Sequence, residues 1–243
     1  MLSEINSAGV RLQIDAAARS DGVLVAFADR EGGVSPAPYG SLNLGVSVGD
    51  DPDLVAANRA RAASAAGFDP AELVLARQVH AATVLEVGSD DSGVIGEGDV
   101  LVSRIPGKVM GILTADCAPV VVRGDGVVAI AHAGWRGLVA GAVEAAVAAV
   151  GTPRKAWVGP SIHACCYEVG PDVTQAFVAA GLPVASEDHV DIGRASVVAL
   201  HRAGVTDVVS TTDCTSCDQR YFSYRRDGVT GRQGAFAGLL DTQ

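Results

Sequence analysis

His80, Cys117 and His132 offer two imidazoles and a thiolate, a donor set that binds zinc through three protein atoms and leaves a fourth position open for chemistry. Cys117 lies in Thr114-Ala115-Asp116-Cys117-Ala118-Pro119, and His132 in Ala131-His132-Ala133-Gly134-Trp135-Arg136-Gly137. The stretches Lys108 to Leu113, Val120 to Arg123 and Val127 to Ala131 are mostly apolar and β-branched and read as strands. If Asp125-Gly126 is a two-residue turn, Gly124 opposes Val127 and His132 opposes Pro119. Side chains alternate with a period of two, so this register puts Cys117 and His132 on one face as diagonal neighbours; a loop of odd length would reverse the parity. His80 follows the strand-like run Leu73 to Val79, and only the fold can bring it to the other two.

The elements that must position these residues belong to a chain of 243 residues, long enough for a full core and read as one domain over 1–243. Apolar residues make up 49% and aromatics only 5%, which points to an Ala- and Val-rich α/β protein. A formal net charge of −10 argues against non-specific nucleic-acid binding, which needs a basic surface. The N-terminus has neither a basic start nor a long apolar run, so a cytoplasmic protein is expected. The helical run Leu138 to Val150 contains Glu144 and is too short to span a bilayer, so no membrane partner is expected. Five cysteines form no even disulfide framework. Cys165-Cys166 and the lone C-x-x-C of Cys214 and Cys217 read as core or loop thiols.

A Gly/Pro-rich loop runs from Glu31 to Gly40 and is followed by Ser41-Leu42-Asn43-Leu44-Gly45. Asp51-Pro52 starts a helix that Gly67 stops after Ala66, carrying Asn58, Arg59 and Arg61. Similar punctuation marks Gly170 to Gly181 and about Asp191 to Gly204. Strands and helices alternate irregularly, with adjacent hairpins, so the fold class is α/β, a single domain with mixed β-sheets covered by helices. The turn Gly134 to Gly137 lies between a strand and the helix beginning near Leu138, where free N–H groups and Arg136 could face an anion such as phosphate. Tyr221 to Arg232 reads as a strand leading into a turn; one of Arg225 and Arg226 is expected in a structural salt bridge to Asp227 or Asp218, the other on a substrate.

Taken together, Gly32-Gly33-Val34-Ser35, the Asn43 and Arg59 segments, Gln78-Val79-His80, Thr114 to Cys117 and His132 to Gly137 resemble the laccase-domain, or polyphenol-oxidase-like, family, now regarded as zinc-dependent purine nucleoside phosphorylases. The likeness continues through Gly159-Pro160-Ser161-Ile162, Cys165 to Gly170 and Ser223 to Gly228, nearly the whole chain. It implies the same three metal ligands, His80, Cys117 and His132. It also implies phosphorolysis of adenosine, inosine and S-methyl-5′-thioadenosine, together with adenosine deamination, and so purine nucleosides and phosphate as partners. Asn43, Arg59, Arg136, Arg225 and Arg226 are the candidate substrate contacts. The chain departs from the family at His163-Ala164, where Gly-Pro is usual, and at Gly98-Asp99-Val100, where Ala-Asp-Ala is usual. His163 could add an imidazole near the site.

An oxidase reading fails by counting: a multicopper centre needs two His and a Cys plus about eight more histidines, and this chain has five and no His-x-His. Copper binding is conceivable, but not in such a centre. No His is followed two residues later by Glu, as the cytidine-deaminase type requires. Two other readings stand beside the phosphorylase. In one, Cys117 is the nucleophile of a cysteine hydrolase, with His132 as base and Asp116 or Asp99 orienting it. In the other, a non-catalytic protein closes the zinc site with His163, Cys165 or Asp116. For a phosphorylase, Asp116 or Asp99 could protonate the leaving purine, provided burial raises its pKa.

Overall fold

The turn at Asp125-Gly126 has the expected length: Val127 pairs with Gly124 and His132 with Pro119, in an antiparallel ladder that ends at Ala133 opposite Ala118. This hairpin is the centre of the computed structural model, which describes residues 1–241. The first half of the chain forms β1 (Leu2–Ser7), β2 (Val10–Asp15), α1 (Ala16–Ser20), β3 (Val23–Ala28), α2 (Pro52–Ala66), β4 (Leu73–Arg77), β5 (Val84–Val87), β6 (Gly93–Glu97) and β7 (Val100–Ser103). The middle adds β8 (Val109–Thr114), β9 (Ala118–Gly124), β10 (Val127–Ala133), α3 (Trp135–Ala140), α4 (Ala142–Val150) and β11 (Pro153–Val158). The remainder is α5 (Pro171–Ala179), β12 (Val184–Ser186), β13 (His189–Val190), α6 (Ile192–Arg202), β14 (Val208–Ser210), α7 (Tyr224–Asp227) and β15 (Gln233–Leu239).

Two mixed sheets result. One has the order β1-β2-β3-β15-β8-β4-β6, the other β14-β11-β9-β10-β7-β5. Pairings β4–β8, β4–β6, β5–β7 and β11–β14 are parallel and the others in these two sheets antiparallel. The sheets pack face to face through Val25, Phe27, Met110 and Ile112 of the first and Leu101, Val121, Val128, Ile130 and Trp157 of the second. Residues of opposite parity, such as Ala129 and Ala131, turn outward to α4 and α6, while α2 covers the far side of the first sheet. The layers are therefore helix, sheet, sheet, helix, and the central strands β3, β7, β8, β9, β10 and β15 are buried on both faces, which removes the polar alternation of a solvated sheet. Asp15 links the sheets: Trp157 Nε1 donates to its Oδ2 at 2.8 Å, and Lys155 Nζ lies 3.3 Å from the same oxygen.

The expected helix over Pro52–Ala66 forms with Asp51 as its N-cap, accepting from Asp53 N–H, and Gly67 in the left-handed conformation closing it. Two expectations are corrected. The helix after β10 starts at Trp135, not near Leu138, and breaks at Gly141, whose φ of 86° a helix interior excludes. The Tyr221 to Arg226 stretch is no strand: Ser223 Oγ accepts from Arg226 N–H and caps the single turn α7. Among the described residues, no helix is long and apolar enough to cross a membrane.

Candidate functional site

His132 and Cys117 project from the β9–β10 hairpin of one sheet, and His80 follows β4 of the other, so the three meet at the mouth between the sheets. Cys117 closes the segment in which the chain crosses from β8 in the first sheet to β9 in the second. Their donor atoms all lie within 4.8 Å of one another, with Cys117 Sγ 4.0 Å from His80 Nε2. Donors around one tetrahedral zinc stand about 3.3–3.8 Å apart, so a small contraction completes the site. His132 is buried, Cys117 half-buried and His80 exposed, which leaves the open side facing solvent beside His80.

Asp99 organises this set. Its carboxylate accepts backbone N–H bonds from Val79 (3.1 Å), His80 (2.9 Å) and Ala81 (2.8 Å), and it lies 2.8 Å from His132 Nδ1. These bonds hold His80 in the left-handed region, at φ 61°, a conformation that persists only when its surroundings fix it. The bond to Nδ1 also leaves Nε2 of His132 free to ligate. Burial alone would raise the Asp99 pKa, but the bonds from His132 and the Ala81 and Val79 N–H groups hold it below the usual carboxylate range. The condition for Asp99 as a proton donor is thus not met. Burial likewise opposes charge on Cys117, yet His132 and His80 bring its thiol down to about 6; burial opposes charge on His132, but Cys117 and Asp99 raise it to about 9. The pair stores a thiolate and a proton that a divalent cation would displace.

Gly134 shows that the space between the donors is reserved. A Cβ there would lie 2.7 Å from Cys117 Sγ and 3.0 Å from His80 Cδ2. The donor types, the fixed tautomer and this clearance fit a zinc ion, and among the described residues no fourth protein donor joins the cluster. Asp99→Asn should weaken zinc binding about 10- to 100-fold, because the amide would face two backbone donors with its own N–H₂ and loosen the His132 orientation. Competition against a chromophoric chelator measures this, and unchanged affinity would mean that Asp99 does not set the site.

The cluster forms the floor of a cleft of about 860 Å³, lined also by Arg59, Gln78, Trp135, Arg136, Tyr167, Tyr224, Arg225 and Arg232. Asp116 is on its wall but faces protein donors: Oδ1 accepts from Thr215 Oγ1 and Oδ2 from Arg225 N–H, both at 2.7 Å. The paired arginines diverge. Arg226 donates to Asp227 and to the carbonyls of Thr215 and Tyr221, away from the cleft lining, whereas Arg225 reaches into the lining and stacks 4.8 Å over Tyr167. Arg59 donates to Leu44 O at 2.9 Å and lines the cleft. Asn43 is fully buried, bonded to Asp50, Gly45 and Arg232 N–H, and holds the loop that supports Arg232. Arg232, Gln78, Tyr167 and Tyr224 join the candidate set from the structure; the last three lie within the resembling motifs and Arg232 in the Tyr221 to Arg232 stretch, the signals that could have pointed to them. His163 pairs with Asp191 at 3.3 Å and is not part of the lining.

Comparisons agree with this architecture. Residues 24–240 match the family described as multi-copper polyphenol oxidoreductase laccase. A purine nucleoside phosphorylase of Streptomyces griseus is 43% identical over 88% of this chain and 93% of its own length. The purine nucleoside phosphorylase YfiH of Escherichia coli K12 is 40% identical over 90% and 95%. The crystal structure of YlmD from Geobacillus stearothermophilus superposes with a TM-score of 0.89 at 30% identity, covering 98% of each chain. Of the five histidines, only His80 and His132 reach the cluster, too few for a multicopper centre.

Proposed function

We propose that this chain, which belongs to the family described as multi-copper polyphenol oxidoreductase laccase, is a purine nucleoside phosphorylase that uses zinc held by His80, Cys117 and His132. Its substrates on this reading are adenosine, inosine and S-methyl-5′-thioadenosine, with deamination of adenosine as a second activity. The observation that carries it is the placing of an open three-donor site on the floor of a cleft walled by Arg59, Arg136, Arg225 and Arg232, in a protein of net charge −10. Such a concentration of guanidinium groups favours an anionic co-substrate.

Zinc, when bound, supplies a Lewis acid for an oxygen ligand. The protein does the rest. The arginines hold phosphate with one oxygen toward C1′ of the nucleoside, and that oxygen forms the new bond as the bond to the purine breaks. The transition state resembles an oxocarbenium ion, so the phosphate charge beside it is stabilising. Asp116 fixes the turn that presents Arg225. The leaving purine needs a hydrogen-bond donor, and the Tyr167 phenol lines the cleft with its pKa pushed up to about 12 by burial and the Cys117 thiolate, so it stays protonated. Without phosphate, water in the same cleft would replace the amino group at C6 of adenosine, giving inosine and ammonia.

One observation favours the cysteine-hydrolase reading: Cys117, His132 and Asp99 lie in the order nucleophile, base and orienting acid. A hydrolase, however, has no use for His80 beside the thiol. The metal-free protein should lose Cys117 to alkylation with a rate that falls as pH drops through about 6, and zinc should protect it. Zinc-loaded protein given adenosine across a phosphate titration should yield adenine and ribose 1-phosphate, and inosine when phosphate is absent. Failure to form adenine at any phosphate concentration would overturn the phosphorylase assignment.

A further inference from the structure

Four of the five cysteines are unused by the cleft, and the sequence treats them as unrelated core or loop thiols. The fold gathers them. Cys165 and Cys166 lie in the turn after β11, Cys214 and Cys217 in the turn after β14, and an isolated parallel bridge between Ser161 and Cys214 joins the two segments. All four sulfurs are within 4.8 Å of one another; Cys217 Sγ is 3.4 Å from that of Cys165 and 3.2 Å from that of Cys166.

We propose that Cys165, Cys166, Cys214 and Cys217 form a second metal site, a closed tetrathiolate that takes one Zn²⁺ and shares no residue with the His80, Cys117 and His132 set. Four thiolates bound to one zinc at about 2.3 Å stand about 3.8 Å apart, close to the spacing of this cluster. A polynuclear iron–sulfur centre binds its cysteines to different irons and needs them farther apart. A disulfide pairs two sulfurs at about 2.05 Å, whereas Cys217 here has two nearly equidistant partners, the arrangement of donors around a common centre. Packing of inert thiols would bury them, yet Cys165 and Cys217 are exposed.

The buried member is prepared for thiolate character in the way C-x-x-C metal loops are. Cys214 Sγ accepts the His163 N–H at 3.4 Å and further backbone hydrogen bonds from Ser216 and Cys217. Such bonds orient a ligating sulfur and offset part of its charge.

A closed four-ligand site is structural, and its position says what it supports. Cys166 adjoins Tyr167 of the cleft, and Thr215, next to Cys214, donates to Asp116, whose other oxygen holds Arg225. The metal would staple the two turns that carry this wall.

Protein purified under reducing conditions should contain two zinc per chain. The double variant Cys165→Ser, Cys217→Ser should keep one, and Cys117→Ala should also keep one. Co²⁺ added to zinc-depleted Cys117→Ala protein should give strong sulfur-to-metal charge transfer, which the remaining imidazoles cannot produce; this readout does not require the serine variant to fold. Zinc content equal in the parent and the double variant, or no charge-transfer band in Cys117→Ala, would each overturn the site. If the catalytic-site reading alone were wrong, zinc would be unchanged in Cys117→Ala and lower by one in the double variant.

Discussion

Replacing Cys117 with alanine should remove the zinc of the cleft and, with it, both phosphorolysis and deamination, each by at least about 10³-fold. Lewis-acid stabilisation of developing charge is worth several kcal/mol, and each 1.36 kcal/mol is tenfold in rate. His132→Ala should match it, because that side chain is both a donor and the partner that keeps Cys117 ionised. Gly134→Ala is the sharper variant. It deletes no donor, but its methyl group would sit 2.7 Å from Cys117 Sγ, in a backbone conformation that any residue adopts, so the fold should persist while the metal is lost. Elemental analysis and circular dichroism on the same samples decide the matter: native zinc content in Gly134→Ala, or full activity in Cys117→Ala that has lost the zinc of the cleft, would disprove the role given to this cluster.

How much of this site was legible in the sequence depended on whether local geometry or long-range assembly set each part. The hairpin register followed from a two-residue turn and a period of two, and α2 from Asp51, Pro52 and Gly67, because those signals act within a few residues. The arrival of His80 beside Cys117 is a property of two sheets packing, with no local trace; the sequence grouped the three only by donor type, and the family resemblance matched that grouping. β15 went unread for a different reason. Gln233–Leu239 is rich in Ala and Gly and buried on both faces between β3 and β8, so it shows neither alternation nor β-branched enrichment. Asp99 appeared as a candidate acid and as one of two candidates to orient His132, which it does, but its hold on the His80 loop was not legible, since those bonds come from a segment distant in sequence. The four-cysteine cluster was dismissed because C-x-x-C is weak evidence until a second pair is brought to it, and that second pair lies 48 residues earlier, across an intervening helix pair.

The arginines divide into those that line the cleft, which the proposed function assigns to phosphate, and a structural network of the same composition. Arg136 and Arg225 line the cleft, each stacked on an aromatic ring, Trp135 at 4.2 Å and Tyr167 at 4.8 Å, which aims the guanidinium without using all its donors. Arg232 lines it from the opposite loop, donating to the carbonyls of Thr230 and Gly231 through one nitrogen. A hydrogen bond to a charged group contributes about 1.5–3 kcal/mol, so alanine at Arg136, Arg225 or Arg232 should raise the KM for phosphate about 10- to 100-fold, with a much smaller change in the KM for inosine. Arg226 is bound to Asp227 and to three backbone carbonyls of the 215–218 turn. Arg226→Ala should therefore lower thermal stability and leave the phosphate KM of the folded fraction near the parental value. Inosine phosphorolysis measured across a phosphate titration for all four variants tests both halves. A phosphate KM unchanged in Arg136→Ala, Arg225→Ala and Arg232→Ala would move the anion out of this cleft, and a selective phosphate defect in Arg226→Ala would mean that α7 reorients when the substrate binds.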